Sequence, residues 1–354
     1  MFGGNKMYLS FNQIIDGLED LDVQQKKFLI QILQEKLNSK SVNPKTISNL
    51  EEIRENRFNN GLFCIHCSSK LVRRFGKYRG RQRFHCKSCN RTFNDLTKTP
   101  MHKTKHLDKW GKYLEYMIEG YSIRKCAKLL KIHVSTSFAW RHKILHVLNQ
   151  KKDDKLQGIV EADETYELFS AKGSRTLKRK PRKRGGVAKK RGISQEQVCI
   201  LVARDRTKTT VSQFATMGRI NSQTLEQILN PKMSPGIIFC SDGETPFKAF
   251  CCKNKFRHQV IGPHDKRTKD GIYHIQNVNA FHSRYKDWEV RFHGIASKYT
   301  DNYLAWFDFL DQTTKLEARK RTNQLLLDST GNLMKLNGSN FQKYYDLLLL
   351  DLCA

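Results

Sequence analysis

The sequence predicts an α/β fold in which a mixed sheet with helices fills the second half of the chain, behind a small cysteine module and a helical segment. Two observations carry this prediction. After Lys155, short apolar runs alternate with helical stretches, as they do in a sheet flanked by helices. Before Lys155, two Cys-x-x-Cys pairs are followed by apolar residues at helical spacing.

The composition favours a polyanionic partner and disfavours small-molecule metabolism. The 354 residues suffice for two or three domains, and 38% hydrophobic residues can fill at least one sizeable core. Lysine and arginine number 64 against 34 acidic residues, and the net charge of +30 favours nucleic acid, since each neutralised phosphate releases counterions. With no apolar run near the roughly 18 residues of a membrane span and no signal-peptide layout, we expect a cytoplasmic, nucleoid-associated protein without membrane contact.

Residues 1–60 are expected to form a helical segment and a linker. Apolar residues over Leu21–Leu37 recur mostly at steps of three and four, which predicts one face of an amphipathic helix. That face suits local packing on the next domain or a dimerisation helix. Residues 38–60 are polar and then charged, as linkers are.

Residues 61–100 predict a zinc ribbon. Cys64 and Cys67 form one Cys-x-x-Cys pair, and Cys86 and Cys89 form another after an interval of 18 residues. Four thiolates at this spacing surround one tetrahedral Zn²⁺, and a site with four protein ligands is structural because it leaves no open position. The interval is strongly basic and would give the ribbon a basic exterior: Arg73, Arg74, Lys77, Arg79, Arg81 and Arg83.

Residues 101–150 predict a helix-turn-helix that binds DNA. Ser122 can cap a short helix, residues 131–134 form the turn, and a second helix follows to about Leu148. This second helix would present Arg141 and Lys143 beside its apolar face, which suits phosphates or base edges.

Residues 155–310 are expected to form the mixed-sheet domain, followed by a helical tail over 311–354. Strands are predicted at 158–163, 198–204 and 236–240, with a weaker one at 209–217. Helices are predicted at 222–229 and 277–292.

A basic insertion, Lys172–Arg191, separates the first two predicted strands. It contains eleven lysines and arginines and no acid, and its proline and glycines predict a flexible loop. So many uncompensated charges favour a nucleic-acid contact over a merely solvated run. The candidate DNA-binding residues are Lys178, Arg179, Lys180, Arg182, Lys183, Arg184, Lys189, Lys190 and Arg191.

Two acids end predicted strands, and a polar helix face follows them. Asp163 and Asp242 each lie at the end of a strand, so if those strands are neighbours, both carboxylates meet where Mg²⁺ or Mn²⁺ can bridge them to a phosphate. Asn279 and Lys286 are seven residues apart, about two helical turns, and therefore share one face, on which His282 also lies. Each acid alone would be an ordinary turn residue.

Several short stretches of the sequence carry a resemblance to a known family. Three of them contain the candidate site residues: Glu161-Ala162-Asp163-Glu164-Thr165-Tyr166, Ser241-Asp242-Gly243 and His274-Ile275-Gln276-Asn277-Val278-Asn279. Lys286 follows them, and a downstream run consists of Lys298-Tyr299, Asn302-Tyr303-Leu304 and Trp306. From Cys64 to about Leu310 the chain resembles the ISXO2-like insertion-sequence transposases of the DDE superfamily, relatives of the Merlin elements. The resemblance implies a ribonuclease-H-like catalytic domain behind the zinc ribbon and helix-turn-helix.

The resemblance also implies the active-site residues. Asp163 and Asp242 would hold two catalytic Mg²⁺ or Mn²⁺ ions, Asn279 would take the third position, and Lys286 would be the lysine that follows it. The usual third residue of the superfamily is Glu, and Asn occurs in a subgroup of this branch. The exchange removes one negative charge and should weaken binding of the second cation. Nearby Glu161, Glu164 or Asp287 could supply charge.

The function implied is that of a DNA transposase. It would bind its element's terminal inverted repeats through the ribbon and helix-turn-helix, cleave double-stranded DNA and join the ends to a target, as a homodimer or larger assembly. Two alternatives remain open at this point. One is a catalytically impaired regulator that binds the same repeats, and the other is a zinc-ribbon nuclease that recognises nucleic-acid structure.

Overall fold

The computed structural model describes residues 21, 22, 26, 46–150, 155–174, 177, 180, 186–262, 271–331, 334 and 343–348. The chain divides into two compact units, Met1–Glu51 and Glu52–Ala354. The helix predicted over Leu21–Leu37 lies almost wholly outside the described residues, and so does the end of the apolar tail. No helix within the described ranges is long and apolar enough to cross a membrane.

Helix α1 (Thr46–Phe58) occupies much of the stretch that was predicted to be a linker, and burial of Ile53 and Arg57 shows that this prediction was wrong. The cysteine module that follows is a small antiparallel sheet. Its strands β1 (Val72–Tyr78), β2 (Arg81–Cys86) and β3 (Thr92–Phe93) lie in the order β1-β2-β3. The turn between β1 and β2 consists of Arg79 (φ 51°) and Gly80 (φ 75°), the two positive φ angles that a tight hairpin needs. Beneath the sheet lies a small apolar cluster: Cys64, Ile65, Phe84, Cys86 and Phe93.

Three helices follow the ribbon: α2 (Trp110–Ile118), α3 (Ile123–Leu130) and α4 (Val134–Gln150). Ser122 caps α3 by accepting a hydrogen bond from the Lys125 amide at 3.3 Å, and Lys131, in the left-handed conformation, ends it. The indole rings of Trp110 and Trp140 stack at 4.6 Å and join α2 to α4.

The second half is a five-stranded mixed sheet. Its strands are β4 (Ile159–Leu168), β5 (Gln197–Asp205), β6 (Thr210–Met217), β7 (Ile238–Ser241) and β8 (Arg257–Val260), in the order β6-β5-β4-β7-β8. β4, β5 and β6 pair antiparallel, while β7 and β8 run parallel to β4. The predicted α/β class is confirmed, and the strand order is ribonuclease-H-like, as the resemblance implied.

Helices cover both faces of this sheet. α5 (Ser222–Leu229) and α6 (Thr245–Asn254) pack on one face over an apolar core that includes Val160 and Ala162 of β4. α7 (Gln276–Val290) and α8 (Thr300–Gln312) lie on the other face, and α9 (Ala318–Gly331) follows. Because side chains alternate along a strand, the odd-numbered residues of β4 point towards α7.

The face of α4 that was expected to meet DNA is buried, which corrects the interpretation of Arg141. The Arg141 side chain is 0% exposed and its guanidinium lies 4.5 Å from the Trp306 ring of α8. It also donates to the carbonyl oxygen of Tyr121 at 2.7 Å. His142 is buried beside it, 4.0 Å from the ring of Tyr299. α8 covers this surface, so Arg141 supports the fold and does not offer a charge to phosphate.

Candidate functional site

The four cysteines of the ribbon converge on one point. Their sulfur atoms all lie within 4.8 Å of one another, with 3.6 Å between Cys64 and Cys89 and between Cys67 and Cys86. A tetrahedron of sulfurs about 2.3 Å from Zn²⁺ has edges of about 3.8 Å, so the donor set fits zinc.

The backbone shapes both cysteine pairs in the same way. The residue after each pair, Ser68 (φ 62°) and Asn90 (φ 55°), is left-handed, which turns each loop back towards the ligands. The Cys89 and Ser88 amides donate to the Cys86 sulfur and lower the pKa of Cys86 to about 6, because they stabilise its thiolate. The neighbouring histidines are engaged elsewhere: His85 lies 2.8 Å from the Asn90 side-chain oxygen and His66 lies 3.4 Å from the Thr92 carbonyl oxygen.

Asp163 and Asp242 are brought together by the pairing of β4 with β7. The two strands are parallel neighbours, with Glu161 opposite Cys240. Each aspartate lies two residues beyond that pair, so the two lie side by side where β7 ends, on strands about 4.8 Å apart; we call this place the acidic edge. β4 continues to Leu168, so Asp163 lies within its strand and the prediction that it ends the strand is wrong.

The loop that carries Asp242 has a defined conformation. The Glu244 amide donates to the Asp242 carboxylate at 3.0 Å, and the Gly243 amide donates to the Ser241 hydroxyl at 3.2 Å. Gly243 has φ +81°, and a Cβ there would come within 2.3 Å of a methyl group of Val260. Only glycine fits this turn, which presents the Asp242 side chain to solvent.

Helix α7 adds one polar face to the same edge. The Nδ1 atom of His282 lies 3.7 Å from the Asp163 carboxylate. Asn279 is one turn before His282 and Lys286 one turn after it, and both are exposed. The four predicted site residues therefore belong to three elements, β4, the loop after β7, and α7.

The electrostatics of this edge favour a cation. Burial and the nearby Asp242 carboxylate raise the pKa of Asp163 to about 7, although Lys286 opposes the shift. Burial and Asp163 likewise raise the pKa of Glu164 to about 7. Carboxylates held together at this cost suit a hard divalent cation, which would relieve their repulsion. Burial, assisted by the positive charge of Lys286, lowers the pKa of His282 to about 4, so this imidazole is neutral near pH 7.

The acids considered as replacements for the missing third carboxylate occupy different environments. Glu164 takes part in the electrostatics of the edge, and so does Glu244, which the sequence did not single out. Asp287 is exposed on α7. Glu161 is fully buried and is bonded to the start of α7 and to Arg206. The alternation that places Glu161 and Asp163 on one strand face was the signal that could have identified this role.

The exposed positive charge lies on the ribbon hairpin rather than on α4. Residues 69–91 contain nine lysines and arginines and no acid. On the hairpin, the exposed Phe75 ring lies under two guanidinium groups, those of Arg73 at 5.9 Å and Arg83 at 5.4 Å. Lys143 of α4 is half-buried, and burial lowers its pKa.

The basic insertion is described only in part. Four of its candidate residues are exposed: Lys180, Lys189, Lys190 and Arg191. The other five lie outside the described residues: Lys178, Arg179, Arg182, Lys183 and Arg184.

Comparison with known proteins finds a matching domain family, a similar protein and similar solved structures. Residues 155–310 match the ISXO2-like transposase domain. A protein in transposable element ISH50 of Halobacterium salinarum is 25% identical over 277 residues, which is 76% of this chain and 92% of that protein. Among solved structures, a pre-cleavage Mos1 transpososome covers 63% of this chain and 79% of its own at 12% identity and a TM-score of 0.23. The Mos1 strand transfer complex covers 64% and 79% at 14% identity and a TM-score of 0.25.

Proposed function

We propose that this chain, whose residues 155–310 match the ISXO2-like transposase domain, binds the terminal inverted repeats of its element, cleaves the DNA there and joins the freed ends to a target. The observation that carries the proposal is the parallel pairing of β4 with β7, which sets Asp163 and Asp242 side by side. Helix α7 closes the same edge with His282 against Asp163. A nuclease would share this edge but would not join ends.

The residues present suit two Mg²⁺ or Mn²⁺ ions. Asp163 and Asp242 would hold them; burial and the nearby Asp242 carboxylate raise the pKa of Asp163, and a bound cation would offset both. When bound, the cations would activate the attacking oxygen and stabilise the leaving oxygen of an in-line displacement. Asn279 offers an amide oxygen as a further neutral ligand, and Lys286 offers an ammonium group to a DNA phosphate.

The reaction is a pair of phosphoryl transfers. In cleavage, a water oxygen bonds to phosphorus as the bond to the 3′ oxygen breaks, and the proton lost by water is balanced by one gained at the 3′-hydroxyl. In joining, that 3′-hydroxyl attacks a target phosphodiester and expels another 3′-hydroxyl. Both steps require only exchange of oxygen ligands on phosphorus, so no covalent link between protein and DNA is needed.

Binding of DNA would use the amino-terminal modules. The ribbon hairpin offers uncompensated charge for phosphates, and a structural Zn²⁺ on the four cysteines would hold that hairpin in shape. The first turn of α4 is exposed at Val134 and Ser135, the end of a recognition helix that reads bases in helix-turn-helix proteins. The exposed part of the basic insertion would hold flanking or target DNA without sequence preference. Joining two ends calls for at least two protomers.

The proposal is tested with a labelled duplex spanning the end of the element that encodes this chain, in Mg²⁺ or Mn²⁺. We expect cleavage at the boundary and joining to a second duplex. Asp163→Asn, which preserves the shape of the side chain, should lower the cleavage rate by about 10³-fold while DNA binding persists. Tight binding without cleavage in either cation would contradict the enzyme and support a regulator. Cut ends that are never joined would instead indicate a nuclease.

A further inference from the structure

The carboxylate of Glu161 is the most completely bonded acid on β4. It is fully buried, and its oxygens accept hydrogen bonds from the Asn277 amide at 2.8 Å and the Asn277 side-chain nitrogen at 2.7 Å. The Val278 amide lies at 3.4 Å. Arg206 donates to the same carboxylate and forms an ion pair with it. A buried carboxylate is tolerated only with such partners.

These bonds cap helix α7 from outside the helix. The residue before its first turn is Ile275, whose side chain makes no capping bond. The amides that Glu161 satisfies, those of Asn277 and Val278, are the second and third of the helix, the pair that a capping Ser or Asp would normally serve. A local capping residue would have stabilised α7 alone. A cap from the sheet ties the helix to β4.

The cap acts at the place where strand and helix carry the proposed active site. Glu161 and Asp163 lie on the same face of β4, about 7 Å apart along the strand. Asn277 and Asn279 are about 3 Å apart along the helix. The Glu161–Asn277 contact therefore fixes the start of α7 to β4 at a point that is two residues from Asp163 along the strand and two residues from Asn279 along the helix.

Arg206 connects the Glu161 cap to the segment before α7. Its Nη2 atom donates to the Ile272 carbonyl oxygen at 2.8 Å, and its Nη1 atom lies 2.8 Å from His274 Nε2. The imidazole of His274 itself lies 3.3 Å from Glu161. This histidine is thus engaged with the cap and does not contact Asp163.

The rest of α7 is held by contacts that do not involve Glu161. Asp311 of α8 accepts from Arg284 of α7 at 2.8 Å and from Arg204 of β5 at 2.7 Å. Lys172 donates to the Gly294 carbonyl oxygen at 2.6 Å, just beyond the helix end. The apolar face of α7 is buried through Phe281 and Tyr285. Loss of Glu161 should loosen the first turn and leave the rest of the helix in place.

We propose that Glu161 is a positioning residue, whose bonds to the first turn of α7 hold Asn279 in register with Asp163 and Asp242. The inference rests on the proposed function of those residues. Glu161 touches neither the reacting phosphate nor its cations in this assignment. It acts only through the helix.

The test compares the full-length Glu161→Gln protein with Arg284→Gln, a matched control that breaks a hydrogen-bonded contact elsewhere on the same helix. We expect Glu161→Gln to slow cleavage by about 10- to 100-fold, as loss of a supporting hydrogen bond typically does, with DNA affinity unchanged. Arg284→Gln should stay within about threefold. Glu161→Asp, which keeps the charge on a shorter side chain, should regain part of the rate.

Amide hydrogen exchange supplies a readout that does not depend on activity. In Glu161→Gln the amides of Asn277 and Val278 should exchange at least tenfold faster, while those of Tyr285 and Trp288 keep their protection. Unchanged cleavage, an equal loss in Arg284→Gln, or faster exchange along all of α7 would overturn the proposal. If Glu161→Gln fails to fold, Glu161→Asp carries the same comparison. A wild-type protein that does not cleave would refute the proposed function, while the exchange pattern would still test whether Glu161 caps α7.

Discussion

The four-cysteine cluster and the acidic edge of the sheet are two ligand clusters of opposite construction. In the ribbon, four sulfurs lie within 4.8 Å of one another, and backbone amides stabilise the thiolate of Cys86. At the acidic edge, Asp163 and Asp242 are held side by side on an unrelated, much larger core, and burial together with the nearby Asp242 carboxylate raises the pKa of Asp163 to about 7. A metal bound at the first cluster would stabilise the fold around it, whereas at the second the fold would position the metal.

The supporting cores differ in the same sense. The ribbon cluster contains five buried residues, two of them members of the four-cysteine cluster, whereas the core beneath the acidic edge contains seventeen. Modules with so little apolar burial need a metal or disulfide to fold. The acidic edge should instead gain stability when a charge is removed.

The largest expected effect is at the ribbon. Cys64→Ser should abolish zinc binding and with it about 10 kcal/mol of metal-binding free energy, which in such modules is folding free energy. Amide exchange in β2 should rise to that of an unfolded chain, while β4 and β5 keep their protection. Zinc content is measured in parallel. Cys252→Ser, at an exposed cysteine of α6, is the control and should keep full zinc content. If the β2 amides stay protected in Cys64→Ser, the ribbon folds without zinc and does not differ from the acidic edge in this respect.

An intermediate effect should separate the exposed charge of the ribbon from the buried charge of α4. The double variant Arg74→Gln and Lys77→Gln should lower DNA affinity by about 10- to 100-fold near 0.1 M salt, because two phosphate contacts are lost. The slope of the logarithm of the binding constant against the logarithm of the salt concentration, called the salt slope below, should become shallower by about two. Unfolding should be unaffected.

Arg141→Gln is the matched variant for that experiment. It should leave the salt slope unchanged and lower the free energy of unfolding by about 3 kcal/mol, because it removes buried bonds to Tyr121 and the contact with Trp306. Binding titrations over a salt series and denaturant unfolding measure the two quantities. A reduced slope in Arg141→Gln would show that α4 meets phosphate after all.

The smallest expected effect is the pH dependence of the acidic edge. The pKa of Asp163 is about 7 in the folded protein against 3.8 in an exposed chain. The folded state therefore binds the extra proton, and the stability from this group is complete below pH 3.8 and lost as the pH rises through 7. Between pH 5 and 7 the loss should be about 2 kcal/mol.

Asp163→Asn should remove that dependence. The variant should be the more stable of the two above pH 3.8, and its advantage over the wild type should grow by about 2 kcal/mol between pH 5 and 7. Thermal unfolding is measured in zinc-loaded, magnesium-free buffer without chelator, since a chelator would also strip the ribbon. Added Mg²⁺ should narrow the difference. Parallel pH profiles for the two proteins would contradict the assignment of repulsion to this edge.

Local patterns were sufficient to predict most elements that build the site. Short apolar runs predicted β7 and the first half of β4, helical spacing predicted α7, and the cysteine spacing predicted the four-cysteine cluster. What local pattern does not contain is which strands are neighbours. The meeting of Asp163 and Asp242 was conditional on that adjacency, which the parallel pairing of β4 with β7 supplies.

The errors and omissions have the same physical origin. A helical wheel shows that α4 has a basic edge, but it does not show that α8, far along the chain, covers Arg141. From the sequence, Glu161 was considered only as a source of negative charge that could replace the missing third carboxylate. Its role as a cap was missed because its partners Asn277 and Arg206 come from two distant segments. Burial by remote elements decides whether a charged residue serves the surface or the interior.

Arg141 packs against Trp306 of α8, and His142 packs against Tyr299 just before it. Helices α2–α4 are therefore not a module that can be exchanged independently of the rest of the chain. A chimaera that imports α2–α4 from a related protein would bring a foreign surface against Trp306 and Tyr299, and it would need matching residues there to fold. For the DNA contact proposed above, the safer positions to vary are Val134 and Ser135, which are exposed at the start of α4.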